Sequence, residues 1–398
     1  MHSRDTDKGR RYVPHGNDAE KSRYRIQGRK MIYLDNAATS YPKPASVIRE
    51  VNRSIRRYCG NPGRSGHKLS LYSAEMVYRA REAISALLGV DNPEQIVFTL
   101  NATYAINLAL KAEIEGPATV LTSDVEHNAV IRPLEALKKS VGIKTRTFST
   151  DKDLEASIEK EIDDDTRFIV TTLRSNVTGQ DVDLSTLKRV ANRHHLTLIL
   201  DASQYIGHKR IDLSGLDSYV LCAPFHKGLL GIQGGGFACF SSLKRKASFI
   251  EGGTGILSMS PEMPIDLPEG YEAGTLPTPA IVSCLYGIQY INSVGIEVIE
   301  RHLGLLSALL CERLDGISDL RIFGRENGII SFSYKDLPSE KVSEYLAKRG
   351  VCTRAGLHCA PSVHKKLGTD TLGLCRISLS HFNTKRDIDA VYALLKNM

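Results

Sequence analysis

The stretch LILDASQYIGH, followed a short unit later by APFHKGLLGIQGGG, constrains this 398-residue chain more than any other. Leu196 to Asp201 is an apolar run of strand length that ends in an acid, as a buried parallel strand ends at a ligand crevice. The pattern places Asp201 at a strand's carboxyl end, Gln204 in the turn beyond it, and His226 and Lys227 beside the same pocket. A buried carboxylate requires a cationic partner, because an unpaired charge in an apolar interior is strongly disfavoured.

The protonated ring nitrogen of pyridoxal phosphate supplies such a cation and becomes a better electron sink in doing so. Lys227 would then form the Schiff base. Taken alone, Asp201 reads more readily as a helix cap and Lys227 as a solvated loop lysine, but three other strand ends reinforce the site reading. Gln95 to Thr99 (QIVFT) reads as a strand leading through Ala102 and Thr103 into the helical run AINLALKA, a turn that aims free N–H groups at a phosphate. Ala118 to Thr122 precedes SDVEHNAV, so His127 falls just past a strand, where it either stacks on a flat ring or caps the next helix. Arg167 to Leu173 ends in RSNVTG, which presents Asn176 either as a donor to a phenolic oxygen or as a turn former before Gly179.

From Met31 to the carboxyl terminus the strings YLDNAATSYPKP, NPGRSGHKLS, EHNAVIRPL, SNVTG, DASQYIGH, HKGLLGIQGGG, EGGTG, YEAGT and RAGLHCAP occur in that order. Together they resemble the class V aminotransferase family, and within it the cysteine desulfurase and selenocysteine lyase branch. The resemblance implies a fold type I pyridoxal phosphate enzyme, with a large domain built on a mainly parallel seven-stranded sheet and a smaller carboxyl-terminal α/β domain. It implies removal of sulfur from L-cysteine, leaving L-alanine and an enzyme-bound persulfide, with L-selenocysteine as the alternative substrate. By the same resemblance Lys227 is the Schiff-base lysine, Asp201 the ring-nitrogen partner, Gln204 and Asn176 the phenolic-oxygen contacts, and His127 the stacking histidine. His226 and the backbone at Ala102 and Thr103 are implied at the phosphate. Thr275 is implied to reach that phosphate across a homodimer interface, and Asn36 and Arg376 to bind substrate.

Cys352 to Pro361 (CTRAGLHCAP) carries the second half of the implied chemistry. A thiolate that takes sulfur from a substrate must be nucleophilic and mobile, which a glycine-bearing loop with a neighbouring histidine favours. Cys359 is the candidate nucleophile, its alternative being a buried apolar thiol; Cys352 fits that alternative better. The planar guanidinium of Arg376 offers the paired donors a carboxylate needs. Several residues depart from the family pattern: Pro224 and Phe225 replace a phosphate-binding serine and a small residue, Leu276-Pro277 follows Thr275, Tyr104 replaces an acid, and Tyr205 adds bulk beside Gln204. These changes are expected to reshape the substrate pocket.

The net charge of +7 raises the question of a nucleic-acid partner. Residues 1–30 contain nine Lys or Arg and four Asp or Glu, so five of the seven net charges sit in a polar tail expected to be disordered. No nucleic-acid partner is expected. No apolar segment is long enough to span a membrane and no signal peptide is visible, so cytoplasmic residence is expected. The eight cysteines lack the short paired spacings of a disulfide framework. Expected boundaries are a tail at 1–30, a segment at 31–45 packing with the small domain, a large domain at 46–274 and a small domain at 275–398. Competing readings are another pyridoxal phosphate lyase, a sulfur-carrier or metal protein using Cys352, His358, Cys359, His364 and Cys375, and a silent relative. The Cys and His spacing lacks a paired zinc pattern, so no metal is expected; a sulfur-acceptor protein remains a possible partner.

Overall fold

The computed structural model describes residues 25–26, 29–63, 65–151, 153–247 and 249–398. The tail expected to be disordered therefore lies outside the described residues, except for β1 (Arg25–Ile26) and β2 (Arg29–Lys30), which pair antiparallel. The main sheet contains β4 (Ile96–Thr99), β5 (Thr119–Ser123), β6 (Lys144–Phe148), β7 (Thr166–Thr172), β8 (Thr197–Asp201), β9 (Tyr219–Pro224) and β10 (Gly236–Phe240). Their spatial order is β4-β10-β9-β8-β7-β5-β6, and β10 alone runs antiparallel to its two neighbours. The seven-stranded, mainly parallel sheet expected from the sequence is present.

The near-continuous apolar composition of these strands follows from burial on both faces. Along β8, Leu198 and Leu200 face one core cluster and Ile199 the other; along β9, Leu221 and Ala223 oppose Val220 and Cys222. Helices Ala102–Glu113 and Asn128–Ser140 cover the second face with Ile106, Leu110, Val130 and Leu134. Helices Lys68–Leu88 and Thr278–Val294 cover the first with Met76, Ile84, Ile281 and Ile288. A core buried on both faces fixes the sheet, leaving its strand-end loops to carry the chemistry.

A second sheet joins β11 (Leu320–Glu326), β12 (Ile329–Tyr334) and β14 (Cys375–Ser378), all antiparallel. Asn327 and Gly328 turn β11 into β12 with φ of 52° and 80°, as a two-residue hairpin of Asn-Gly requires. Near the amino terminus, β3 (Ile32–Tyr33) pairs in parallel with β13 (Val351–Cys352), and Asp35 bridges to Ser378. The chain start thus lies beside the strand that bears Arg376. Among the described residues, no helix is long and apolar enough to cross a membrane.

Candidate functional site

A cavity of about 460 Å³ opens at the carboxyl ends of the parallel strands and is lined by Ala102, Thr103, His127, Asn176, Asp201, Gln204, His226 and Lys227, among others. Eight of the residues singled out from sequence therefore converge on one space. Asp201 closes β8 and is 5% exposed; its Oδ1 accepts the Ser203 amide proton at 2.9 Å. No basic side chain among the described residues forms an ion pair with it. Lys227 is partly buried and its ammonium likewise has no hydrogen-bond or ion-pair partner there. Burial lowers the Lys227 pKa to about 8, against the opposing pull of Asp201.

Two glycines bring the loops bearing these residues together. A Cβ on Gly228 would overlap the Ile206 carbonyl oxygen, and one on Gly207, at φ +78°, would overlap the Gly228 carbonyl. The turn after Asp201 and the turn after Lys227 are thus packed backbone against backbone. The His226 carbonyl is held from the other side: it accepts from the Ser40 amide at 2.9 Å, the Lys43 ammonium at 3.0 Å, and the Thr39 and Ser40 hydroxyls at 3.1 Å. Burial lowers the Lys43 pKa to about 7.

The helix Ala102–Glu113 begins at the cavity. Its N-cap Asn101 accepts the Tyr104 amide proton at 3.0 Å, which leaves the Ala102 and Thr103 N–H groups without protein acceptors. His226, whose Nδ1 is buried and unpartnered, lines the same space; burial pushes its pKa down to about 4, helped by Lys227 and Lys43. Two free donors at a helix N-terminus with the His226 ring beside them match a phosphate. A buried carboxylate without a counter-ion, opposite an unpartnered lysine, matches the ring nitrogen and aldehyde of pyridoxal phosphate. The donor set therefore fits that cofactor.

His127 caps the helix Asn128–Ser140, its Nδ1 accepting the Ala129 amide proton at 3.0 Å. That bond places the proton of the neutral ring on Nε2. Burial lowers the pKa of His127 while Asp201 raises it. Of the two sequence alternatives the helix cap is present, and the same side chain also lines the cavity. Gln204 donates its amide to the Ala37 carbonyl at 2.9 Å.

Other candidates lie outside the cavity. Arg376, on β14 and 2% exposed, donates from Nη1 to the Asn176 carbonyl at 2.9 Å and from Nη2 to Asp35 Oδ1 at 3.2 Å; its Nε is buried without a partner. The Asn36 side chain donates to the Ser378 carbonyl at 2.9 Å and accepts from the Tyr41 amide at 3.1 Å, so it joins the chain start to β14. Thr275 is exposed, between Gly274 and Leu276, which line a separate cavity of about 250 Å³. Cys359 is exposed on a loop, so the buried-thiol alternative does not hold for it; Cys352 is partly buried on β13 and burial raises its pKa. Among the described residues, no group of three or more His, Cys, Asp or Glu could hold a metal ion.

The departures from the family pattern fall differently than expected. Pro224 and Tyr104 line the cavity. Phe225 does not: fully buried, it packs edge-on to Phe98 and stacked on Phe237, and a Cβ at Gly235 would strike its ring. Tyr205 is also buried outside the cavity, beneath the Arg174 guanidinium at 5.0 Å. Of the four bulky changes, two reach the pocket and two are core.

Two further residues at the site were not singled out in the sequence. Glu126 is 1% exposed and receives the Thr172 amide. Arg174 lines the cavity and pairs with Asp181 at 2.6 and 3.1 Å. A charged residue inside each strand-end string was the available signal.

The chain matches the family model Aminotransferase class-V over residues 32–391. It is 28% identical to a probable cysteine desulfurase of Methanothermobacter thermautotrophicus, over 93% of this chain and 95% of the relative. It is also 28% identical to a cysteine desulfurase of Haloferax volcanii, over 90% of this chain and 87% of the relative. Among solved structures, the apo cysteine desulfurase of Thermococcus onnurineus superposes with a TM-score of 0.86 at 25% identity, covering 98% of this chain and 99% of that one. A cysteine desulfurase of Escherichia coli shares the fold, with a TM-score of 0.85 at 23% identity and 98% coverage of each chain.

Proposed function

Because this chain belongs to the class-V aminotransferase family, we propose that it is a pyridoxal-phosphate-dependent cysteine desulfurase that yields L-alanine and a persulfide on Cys359. The observation that carries the reading is the pairing, in one cavity, of a buried Asp201 without a counter-ion and an unpartnered Lys227, with the exposed Cys359 loop docked beside them. The relatives named above support the substrate.

In this reading Asp201 holds the cofactor's ring nitrogen, Lys227 its aldehyde carbon, and Ala102 N, Thr103 N and His226 its phosphate. His127 lies against the ring face, and Gln204 and Asn176 serve the phenolic oxygen. When bound, pyridoxal phosphate supplies an electron sink conjugated to the substrate's α-carbon. Lys227, with a pKa near 8, is partly neutral at physiological pH and takes the α-proton. Arg376, whose Nε is buried without a partner, would bind the substrate carboxylate through its guanidinium, and Asn36 ties its strand to residues 36–41. Cys359 Sγ, as its thiolate, then bonds to the substrate sulfur as the carbon–sulfur bond breaks. The bonding pair returns to carbon, which is protonated, and Lys227 returns the α-proton to give alanine.

The same reading extends to organisation. Residues 46–274, with the helix Thr278–Val294 packed against them, would form the large domain around the seven-stranded sheet and the rest of 275–398 a small domain around β11, β12 and β14, joined by 31–45 through the β3–β13 pairing. Thr275, exposed and outside its own chain's cavity, supports a homodimer in which it serves the partner's phosphate. Eight free cysteines support a reducing, cytoplasmic setting, and a persulfide on an exposed Cys359 would be handed to a sulfur-acceptor protein.

The test is release of alanine and sulfide from L-cysteine by protein reconstituted with pyridoxal phosphate under reductant. Equal amounts are expected from the parent and neither from Cys359→Ser. Sulfide production retained by the variant overturns the role of Cys359. Selenide released from L-selenocysteine with no turnover of cysteine overturns the substrate assignment.

A further inference from the structure

The loop bearing Cys359 has an unusual backbone. His358 and Cys359 are consecutive non-glycine residues with φ of 50° and 56°, a left-handed conformation that costs each of them free energy against extended or helical backbone. Such a pair persists only where neighbouring groups hold it. Two do so on the carbonyl side: the Asn176 amide donates to the His358 carbonyl at 2.8 Å, and the Asn128 backbone N–H donates to the Cys359 carbonyl at 2.7 Å. The first donor lines the cavity, and the second, Asn128, follows the cavity-lining His127. The His358 ring adds a third hold, its Nε2 lying 3.0 Å from the Leu374 carbonyl.

Asn176 is itself gripped from behind. Its backbone carbonyl accepts from Arg376 Nη1 at 2.9 Å, and the residue is only 8% exposed. One amide N–H is spent on His358; Oδ1 is buried with no partner, and no described residue accepts the second N–H. The residue therefore lines the cavity and at the same time holds the thiol-bearing loop.

We propose that Asn176 is a positioning residue for Cys359: its amide braces the His358–Cys359 pair in the left-handed conformation that presents the thiol, from a residue that also lines the cavity. Occupancy of the cavity and presentation of the thiol then share one residue. The inference rests on Cys359 as the reacting thiol, as proposed above, but the brace is a property of the protein alone.

The experiment uses cofactor-free, substrate-free protein, so a failure of the desulfurase reading leaves its outcome unaffected. Alkylation of Cys359 by iodoacetamide is followed by mass spectrometry in the parent, Asn176→Ala and Asn176→Leu, the last matching the asparagine in size without its amide. The exposed Cys59 serves as internal reference, and the buried Cys222, Cys239 and Cys284 report the fold by remaining unlabelled. Loss of the brace is expected to lower the Cys359 rate by up to roughly fivefold, the factor that a hydrogen bond of about 1 kcal/mol supplies. Cys59 should be unchanged, and the Asn128 amide should lose protection in hydrogen exchange. A Cys359 rate and an Asn128 protection equal to the parent's, in a variant whose buried cysteines stay unlabelled, overturn the proposal.

Discussion

Glu126 receives the Thr172 amide proton between its two carboxylate oxygens, at 3.0 and 3.1 Å, while the Ser123 hydroxyl bonds one of them. This ties the loop carrying His127 to the end of β7, from which Asn176 follows. Burial raises the Glu126 pKa to about 8 despite those donors, and the nearby Asp201 adds to the rise. The sign follows from proton linkage. The folded state holds this proton between pH 4.5 and about 8 whereas the unfolded chain has released it, so the group's contribution is full below the lower value and declines as pH rises through the higher one. Glu126→Gln, permanently neutral, should gain on the parent in melting temperature between pH 6 and pH 9. A difference between the two proteins that is independent of pH would show that Glu126 is ionised throughout.

Lys227 gives a second pH dependence. With its pKa lowered to about 8 by burial, its neutral, nucleophilic fraction grows as pH rises through 8, well before that of an exposed lysine. Borohydride trapping of pyridoxal phosphate on cofactor-free protein should therefore label Lys227 with a rate that climbs between pH 7 and 9 and then levels. A rate still climbing steeply above pH 10 would refute the lowered value, and Lys227→Ala should remove the label.

Phe225 and Gly235 provide a packing test. Phe225 is fully buried between Phe98 and Phe237, and a Cβ at Gly235 would meet its ring. Phe225→Ala should cost about 3–5 kcal/mol of stability through the cavity it leaves, and Gly235→Ala about 1–3 kcal/mol through overpacking. In the double variant the added methyl enters vacated space, so the loss should fall short of the sum by roughly 0.5–3 kcal/mol. Strict additivity in denaturant titrations would place Phe225 elsewhere.

The frame of the site was legible in the sequence because strand ends advertise themselves. Thr197–Asp201 begins one residue after the expected Leu196, and Ile96–Thr99 one residue after Gln95. An apolar run that stops at a polar residue reports burial and its end together. What was not legible is which way a residue at the end of such a run points. Pro224 and Phe225 are neighbours, yet the first lines the cavity and the second is core, because successive side chains leave opposite faces of a strand. Asn36 and Asn176 were also opaque. Their amides are spent on carbonyls at residues 378 and 358, and contacts at such separation leave no local trace in the chain.

The contact between Gly207 and Gly228 has a consequence for ligand choice. With two turns touching through bare backbone, the gap between Asp201 and Lys227 has its smallest opening set by the main chain. The turns cannot close further around a thinner or shorter ring, since their backbones already meet. A ligand too small to span the gap is then refused by dimension, settled by the main chain before any side chain reads the ligand's substituents.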